Sequence, residues 1–431
     1  MFLFIVATIL LFCVLVLLCR PDPRNGILLL LPSMGVIATT WDISFAGLSL
    51  LKISYGFVAI IMIAKTRTMS YKLPQWWLNT AVVFALSSVY GIICRPFYLD
   101  FSPILFIDVI LRALNFYLGF FLFPCYFDTR EDFKRLVYVL IFSAIFPLLV
   151  EYYQIVTGTV FNLRQTRGLT RMVGLYHDAF SNKMFYQQAL ISIIIILGTK
   201  LENSKSRISL LAVFTGLLLV GCYFIFSKSM IAFIILWAVF LAIIGKKLHW
   251  GIIVVVFVLI INLYMGGKVF DNVYNIFEKD IQVQQGQIDQ KYLLSGRGGL
   301  WEEDTRQFKE FGVFAYIFGA GWTPAAHNEW LRVFYLGGFI SLVFFIGCQL
   351  NILQHLIHTY LIQKQFYRLV AMLIFLSYLL DCIGVVPGLY PSYNWFTWGI
   401  LGCLLIHGDK YFPANPSTPV QAAQALPVNG R

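Results

Sequence analysis

From Ser295 to Gly338 the chain reads SGRGGLWEEDTRQFKEFGVFAYIFGAGWTPAAHNEWLRVFYLGG, and three groups within it are capable of chemistry. Ser295-Gly296-Arg297 stands ahead of Trp301, Phe318-Gly319-Ala320-Gly321 follows, and His327-Asn328 sits directly before an apolar run. The glycines permit positive φ or close backbone approach. A neutral imidazole, with an unperturbed pKa of about 6.5, can take a proton from a sugar hydroxyl. A guanidinium can hold a phosphate through two parallel hydrogen bonds. Read alone, a histidine here is more often an interfacial residue capping a helix than a catalytic one.

Further cations lie upstream. Arg164, Arg167, Arg171 and Lys183 face only Asp178 between residues 157 and 183, a basic stretch suited to anionic lipid or acidic glycan. Lys228 sits in the polar turn Phe226-Ser227-Lys228-Ser229. Charges inside apolar runs cost several kcal/mol unless paired or wetted. Asp108 and Arg112, spaced i, i+4, can neutralise each other on one helix. Lys52, Glu151 and Asp381 lack local partners and suit a proton or ion path, which keeps a transporter of lipid-linked sugars or small anions as the alternative class. No His, Cys and carboxylate set has metal-ligand spacing, and no glycine-rich nucleotide loop follows a strand. The sequence therefore implies no cofactor. The eight cysteines all fall in or beside apolar runs and read as core.

The elements that position these groups follow from composition. Of 431 residues, 59% are hydrophobic and only 12% charged, against roughly 25% charged in a soluble domain. That excludes a water-soluble enzyme, and the long continuous apolar runs exclude a transmembrane barrel. At about 20 apolar residues per span, the chain is an all-α polytopic membrane protein. Candidate spans fall at 2–19, 27–41, 45–64, 79–94, 103–126, 135–156, 184–199, 208–226, 230–245, 248–264, 330–353, 368–388 and 394–407, so the count is twelve or thirteen. Alternating through them puts Arg20, Arg24, Lys65, Arg130, Lys134, Lys200, Lys205, Lys246, Lys364, Arg368 and Lys410 on one side, which the positive-inside rule makes the cytoplasm. The net charge of +11 thus comes mainly from membrane anchors and the smaller outer loop, and nucleic acid is not an expected partner. Two long loops, about 157–183 and 265–329, face outward. In the second, Trp301, Thr305, Phe308 and Phe311 recur at helical spacing and predict an amphipathic helix on the outer surface. Residues 1–410 read as one membrane domain. The Pro, Ala and Gln-rich tail 411–431 reads as disordered and cytoplasmic.

The order G-R-x-x-x-W, G-x-G, then H-N before a span with Gly337-Gly338 resembles the O-antigen ligase and Wzy-type polysaccharide polymerase superfamily. Arg171-Met-Val-Gly174 resembles that family's R-x-x-G stretch, and Ser227-Lys228-Ser229 its S-R-G/S turn, with Lys where Arg is usual. The resemblance implies a GT-C-like ligase or polymerase architecture and a metal-independent glycosyltransferase. Such an enzyme moves glycan from an undecaprenyl-pyrophosphate carrier to a sugar hydroxyl at the periplasmic face of a bacterial inner membrane. It implies His327 as general base and Arg297 as the residue stabilising the departing pyrophosphate. Arg171 and Lys228 would assist, Arg164 and Arg167 would form a basic rim, and Asn328 would bind substrate. The expected partners are the lipid-linked oligosaccharide, membrane lipid, a flippase and a chain-length regulator. The favoured activity is a polymerase of a surface or exopolysaccharide; the alternative within the family is an O-antigen ligase acting on lipid A core.

Overall fold

The computed structural model describes residues 2–41, 43–45, 48–65, 75–100, 103–104, 106–107, 119–120, 122–166, 168–324 and 327–413. Arg167, the Asp108 and Arg112 pair, and the tail from 414 onward lie outside the described residues. Of the described residues 80% are helical. In order the helices are α1 (Phe2–Cys19), α2 (Pro23–Ile37), α3 (Leu50–Lys65), α4 (Gln75–Cys94), α5 (Arg130–Phe142), α6 (Ile145–Thr157), α7 (Ala179–Gly198) and α8 (Lys205–Phe224). They continue as α9 (Lys228–Ile243), α10 (Leu248–Tyr264), α11 (Lys268–Gln284), α12 (Leu293–Lys309), α13 (Gly312–Phe318), α14 (Glu329–Ile362), α15 (Phe366–Gly384) and α16 (Pro391–Tyr411). Two two-residue hairpins, Ser44–Phe45 with Leu48–Ser49 and Gln165–Thr166 with Leu169–Thr170, are the strands among the described residues.

Twelve of the thirteen apolar segments coincide with helices, while 103–126 lies largely outside the described residues. Among the described residues six helices are long and apolar enough to cross a membrane, or seven if the pair α10 and α11, bent by 103°, is one span. The protein is therefore helical and compatible with multiple passes.

The basic loops expected on one side do meet at one end of the bundle. Lys65 Nζ donates to the Cys19 and Arg20 carbonyls, Arg24 Nη1 reaches Asp132 at 2.8 Å, and Arg130 Nη2 donates to the Lys200 carbonyl at 3.2 Å. Lys134 and Arg207 both meet Glu202, at 3.2 and 3.0 Å, and Arg368 meets Asp409 at 3.1 Å. Arg171, Arg297 and His327 lie at the opposite end. A cysteine introduced at exposed Gln285 of a cysteine-free variant should therefore react with a membrane-impermeant maleimide added to intact cells, and one at exposed Ser206 should not. The reverse labelling pattern would invert the orientation.

Three departures from the sequence reading stand out. First, Lys183 is not a loop residue. It lies on α7, fully buried, and its ammonium donates to Asp381 of α15, which also accepts the Tyr393 hydroxyl at 2.7 Å. The partner of Asp381 is thus 198 residues away, beyond the reach of any local pattern. Removing one member of a buried pair costs about 3–5 kcal/mol because the other charge is left uncompensated. The pairing also removes one of the charges on which a transporter reading rests. Second, Glu151 has neutral partners, Asn182 and Tyr186.

Third, the loop 265–329 is mostly helical. The strongly amphipathic α11, with Val269 and Ile276 buried, was legible as a one-face repeat. The expected helix over 301–311 is present in α12, but its apolar face packs on protein. Phe308 is fully buried against Phe311, Tyr316, Trp322, Phe334 and Tyr335, worth roughly 2–3 kcal/mol for the side chain alone. The Thr305 and Tyr335 hydroxyls pair at 2.9 Å beside it. The G-x-G segment belongs to the same assembly. Residues 320 and 321 donate backbone hydrogen bonds to the Tyr335 and Leu336 carbonyls at a kink in α14. Gly338 there has φ of 66°, and a Cβ on it would lie 2.4 Å from the Ile317 carbonyl oxygen. The glycines of FGAG and LGG are thus explained by backbone meeting backbone.

Candidate functional site

At the end opposite the basic loops, four segments converge. The first is the stretch from the 165–170 hairpin to the start of α7. Its backbone is fixed by Arg171 N–H to the Arg164 carbonyl at 2.8 Å and Met172 N–H to the Phe224 carbonyl at 3.1 Å. Asp178 then caps α7, its Oδ1 accepting Ser181 N–H at 2.7 Å. The second segment is the entry to α12, where Leu294, Ser295 and Gly296 take φ of 50°, 67° and 90° in succession, so that regular helix begins at Arg297. The third is His327-Asn328 at the head of α14. The fourth joins α15 to α16 and carries Tyr390.

These segments bring Arg297 within electrostatic reach of both Arg171 and His327. Burial first, and then the charge of Arg297, disfavours the Arg171 guanidinium, with Asp178 opposing. Burial likewise disfavours Arg297, with Asp280 and Tyr390 opposing. The His327 pKa is held below the ordinary imidazole value by desolvation and then by Arg297, again against Asp178. Its side chain is nevertheless open to solvent on one side. Among the described residues neither guanidinium forms an ion pair with a carboxylate, and Arg171 Nε is buried without a hydrogen-bond partner. Two half-buried cations within electrostatic reach of each other, with donors to spare, have the chemistry to hold an anion. The Arg297 Nη1 atom packs against α15, 3.0 Å from where a Cβ on Gly384 would stand.

Backbone strain marks the same place. Six described non-glycine residues have positive φ. Phe226, Leu294, Ser295 and His327 border this site, whereas Lys200 and Lys246 lie at the basic end. Left-handed conformations at such residues cost of order 1–3 kcal/mol each and gather where the surroundings hold a site in shape.

The remaining sequence candidates have more local duties. Lys228 pairs with Asp280, whose other oxygen accepts Leu294 N–H at 2.8 Å; the ammonium thereby anchors the left-handed turn ahead of Arg297. Arg164 Nε donates to the His177 carbonyl at 3.0 Å and clamps its own loop. Asn328 caps α14 through Leu331 N–H at 3.0 Å and donates to the Ile383 carbonyl at 3.4 Å, which orients His327 one residue earlier. Arg167 lies outside the described residues. Asp178 and Tyr390, which no motif marks as site residues, share a hydrogen bond of 2.7 Å across 212 residues. A helix-capping position for Asp178 was legible, its partner was not.

No protein-family model, curated protein or solved structure matches the chain. The chain is therefore described by its fold and side chains alone: helical and membrane-compatible, with Arg171 and His327 both within electrostatic reach of Arg297 at one end.

Proposed function

We propose that the protein is a polymerase of a bacterial surface or exopolysaccharide, of the O-antigen ligase and polymerase superfamily. It transfers glycan from an undecaprenyl-pyrophosphate carrier to the hydroxyl of another lipid-linked repeat unit, at the periplasmic face of the inner membrane. The observation that carries this reading is the juxtaposition of Arg171 and Arg297, neither bonded to a carboxylate among the described residues, with a histidine held below its ordinary pKa. The arginines suit the two phosphates of the leaving group, and the neutral imidazole suits a hydroxyl.

In the proposed reaction His327 takes the proton of the acceptor hydroxyl as its oxygen attacks the anomeric carbon. The bond from that carbon to the carrier's phosphate oxygen breaks, and its electron pair leaves with the pyrophosphate. Arg171 and Arg297 stabilise the charge that develops there, a task often given to a divalent cation. Single displacement inverts the anomeric centre. Lys228 and Asn328 act by holding Arg297 and His327 in place.

Purified protein in detergent, given a synthetic undecaprenyl-pyrophosphate oligosaccharide, should form new glycosidic bonds with EDTA present and no ion gradient. A strict requirement for a divalent metal or a gradient would count against the mechanism. Movement of substrate across sealed liposomes without a new bond would favour a transporter.

A further inference from the structure

Beneath the Arg171 loop, α6 and α7 enclose a second polar site that the transfer reading does not use. Glu151 and Gln154, one turn apart on α6, and Asn182 on α7 are all fully buried. The two amides have fixed orientations. Gln154 Oε1 accepts Gly174 N–H at 2.7 Å, which leaves its Nε2 as the outward donor. Asn182 Nδ2 donates to Glu151 Oε2 at 3.3 Å and to the Met172 carbonyl at 3.4 Å, which leaves its Oδ1 as an acceptor. Glu151 Oε2 also accepts the Tyr186 hydroxyl. Three atoms of this cluster are buried without a partner among the described residues: Glu151 Oε1, Asn182 Oδ1 and Gln154 Nε2.

Buried polar atoms are almost always satisfied, by protein or by ordered water. The chemistry of the three decides the guest. Two acceptors and one donor, or two donors and one acceptor when Glu151 carries a proton on Oε1, both match a water molecule, which can give two hydrogens and accept two, with the three bonds usual for internal water. A bare cation would meet the N–H of Gln154, and an anion would meet the Asn182 oxygen. We propose that Glu151, Gln154 and Asn182 bind one internal water molecule, and that this water fastens the 172–174 segment, and with it Arg171, to the bundle core.

The segment's attachments make the consequence specific. Gln154 holds Gly174 and Asn182 holds Met172, so both side chains that grip the loop also line the water site, while Glu151 lines the site without touching the loop. The Glu151→Leu variant therefore removes one of the water's partners, together with the direct Glu151 bonds to Asn182 and Tyr186, and leaves every direct loop bond possible; exchange in this variant reads the fastening of the loop, and the density map alone decides for the water.

A density map of the full chain in lipid nanodiscs, at a resolution that shows ordered solvent, should hold one peak within hydrogen-bond distance of all three atoms. Hydrogen exchange at 172–174 should be about tenfold faster in Glu151→Leu, the factor set by loss of about one hydrogen bond, with α15 unchanged as the internal control. No peak, with Glu151 Oε1 and Asn182 Oδ1 in direct contact, would overturn the proposal, as would a peak with the short contacts of a metal ion. Unchanged exchange at 172–174 in a folded variant would overturn the fastening role. If the variant does not fold, the wild-type map still decides the site. None of these readouts depends on glycan transfer, so a failure here is separate from a failure of the polymerase assignment.

Discussion

Replacement of His327 by alanine is expected to lower polymer formation by about 10²–10⁴, the usual contribution of a general base, with the protein still inserted at normal abundance. The residue is well placed for that separation of effects. Its side chain is exposed, and it lies in the loop ahead of α14. The cap of that helix is made by Asn328, whose bond to Leu331 N–H survives the substitution. The pH dependence gives a second reading of the same role. Activity needs the neutral imidazole, so it is present above the His327 pKa and lost as pH falls through it. Because desolvation and Arg297 lower that pKa, the acid limb of the wild-type profile should lie below the ordinary imidazole value of about 6.5. Polymer quantified from cells carrying His327→Ala, with membrane levels measured by immunoblot, tests the first expectation. Wild-type yield at normal protein level would end the catalytic assignment.

Much of this architecture is legible in the sequence, and the reason is the chemistry that a membrane demands of a spanning segment. A spanning helix satisfies its own backbone and must be apolar over about 20 residues, so each segment announces itself locally, and the chain has a helix at each described candidate position. The amphipathic repeat of Trp301, Thr305, Phe308 and Phe311 is equally local. What could not be read was any relation across the bundle. Lys183 looked like one more loop cation because its partner, Asp381, belongs to another helix far along the chain. The G-x-G glycines are legible as permitting close backbone approach, but not what they approach, which is the backbone of the α14 kink.

The candidate site shows the same division. Arg171, Arg297 and His327 are singled out by residue type and motif, and the fold sets Arg297 within electrostatic reach of both the others. Lys228 was chosen by the same logic, and its charge instead answers Asp280. Type and spacing identify which groups are capable of chemistry. Only the packing shows which of them are already occupied by protein.

That distinction sets the expectation for Arg297, whose guanidinium is not so occupied. In Arg297→Lys the charge is kept and the planar two-pronged grip is lost, so transfer should fall by about 10²–10³, the typical effect of removing one donor aimed at developing charge. In Arg297→Met the loss should be at least as large, and a second effect should separate the two variants. Arg297 is the group whose charge depresses the His327 pKa after desolvation. Removing that charge lets the pKa rise, so the acid limb of the residual activity should move to higher pH in Arg297→Met and stay near its wild-type position in Arg297→Lys. The Asp178→Asn variant provides the opposite sign, because Asp178 raises the His327 pKa; its acid limb should move to lower pH. Profiles of purified variants on one lipid-pyrophosphate substrate, recorded at constant ionic strength, measure all three. Equal profiles in Arg297→Met and wild type would mean that Arg297 and His327 do not share a pocket in the working protein, and a simple loss of phosphate binding would then be all that Arg297 explains.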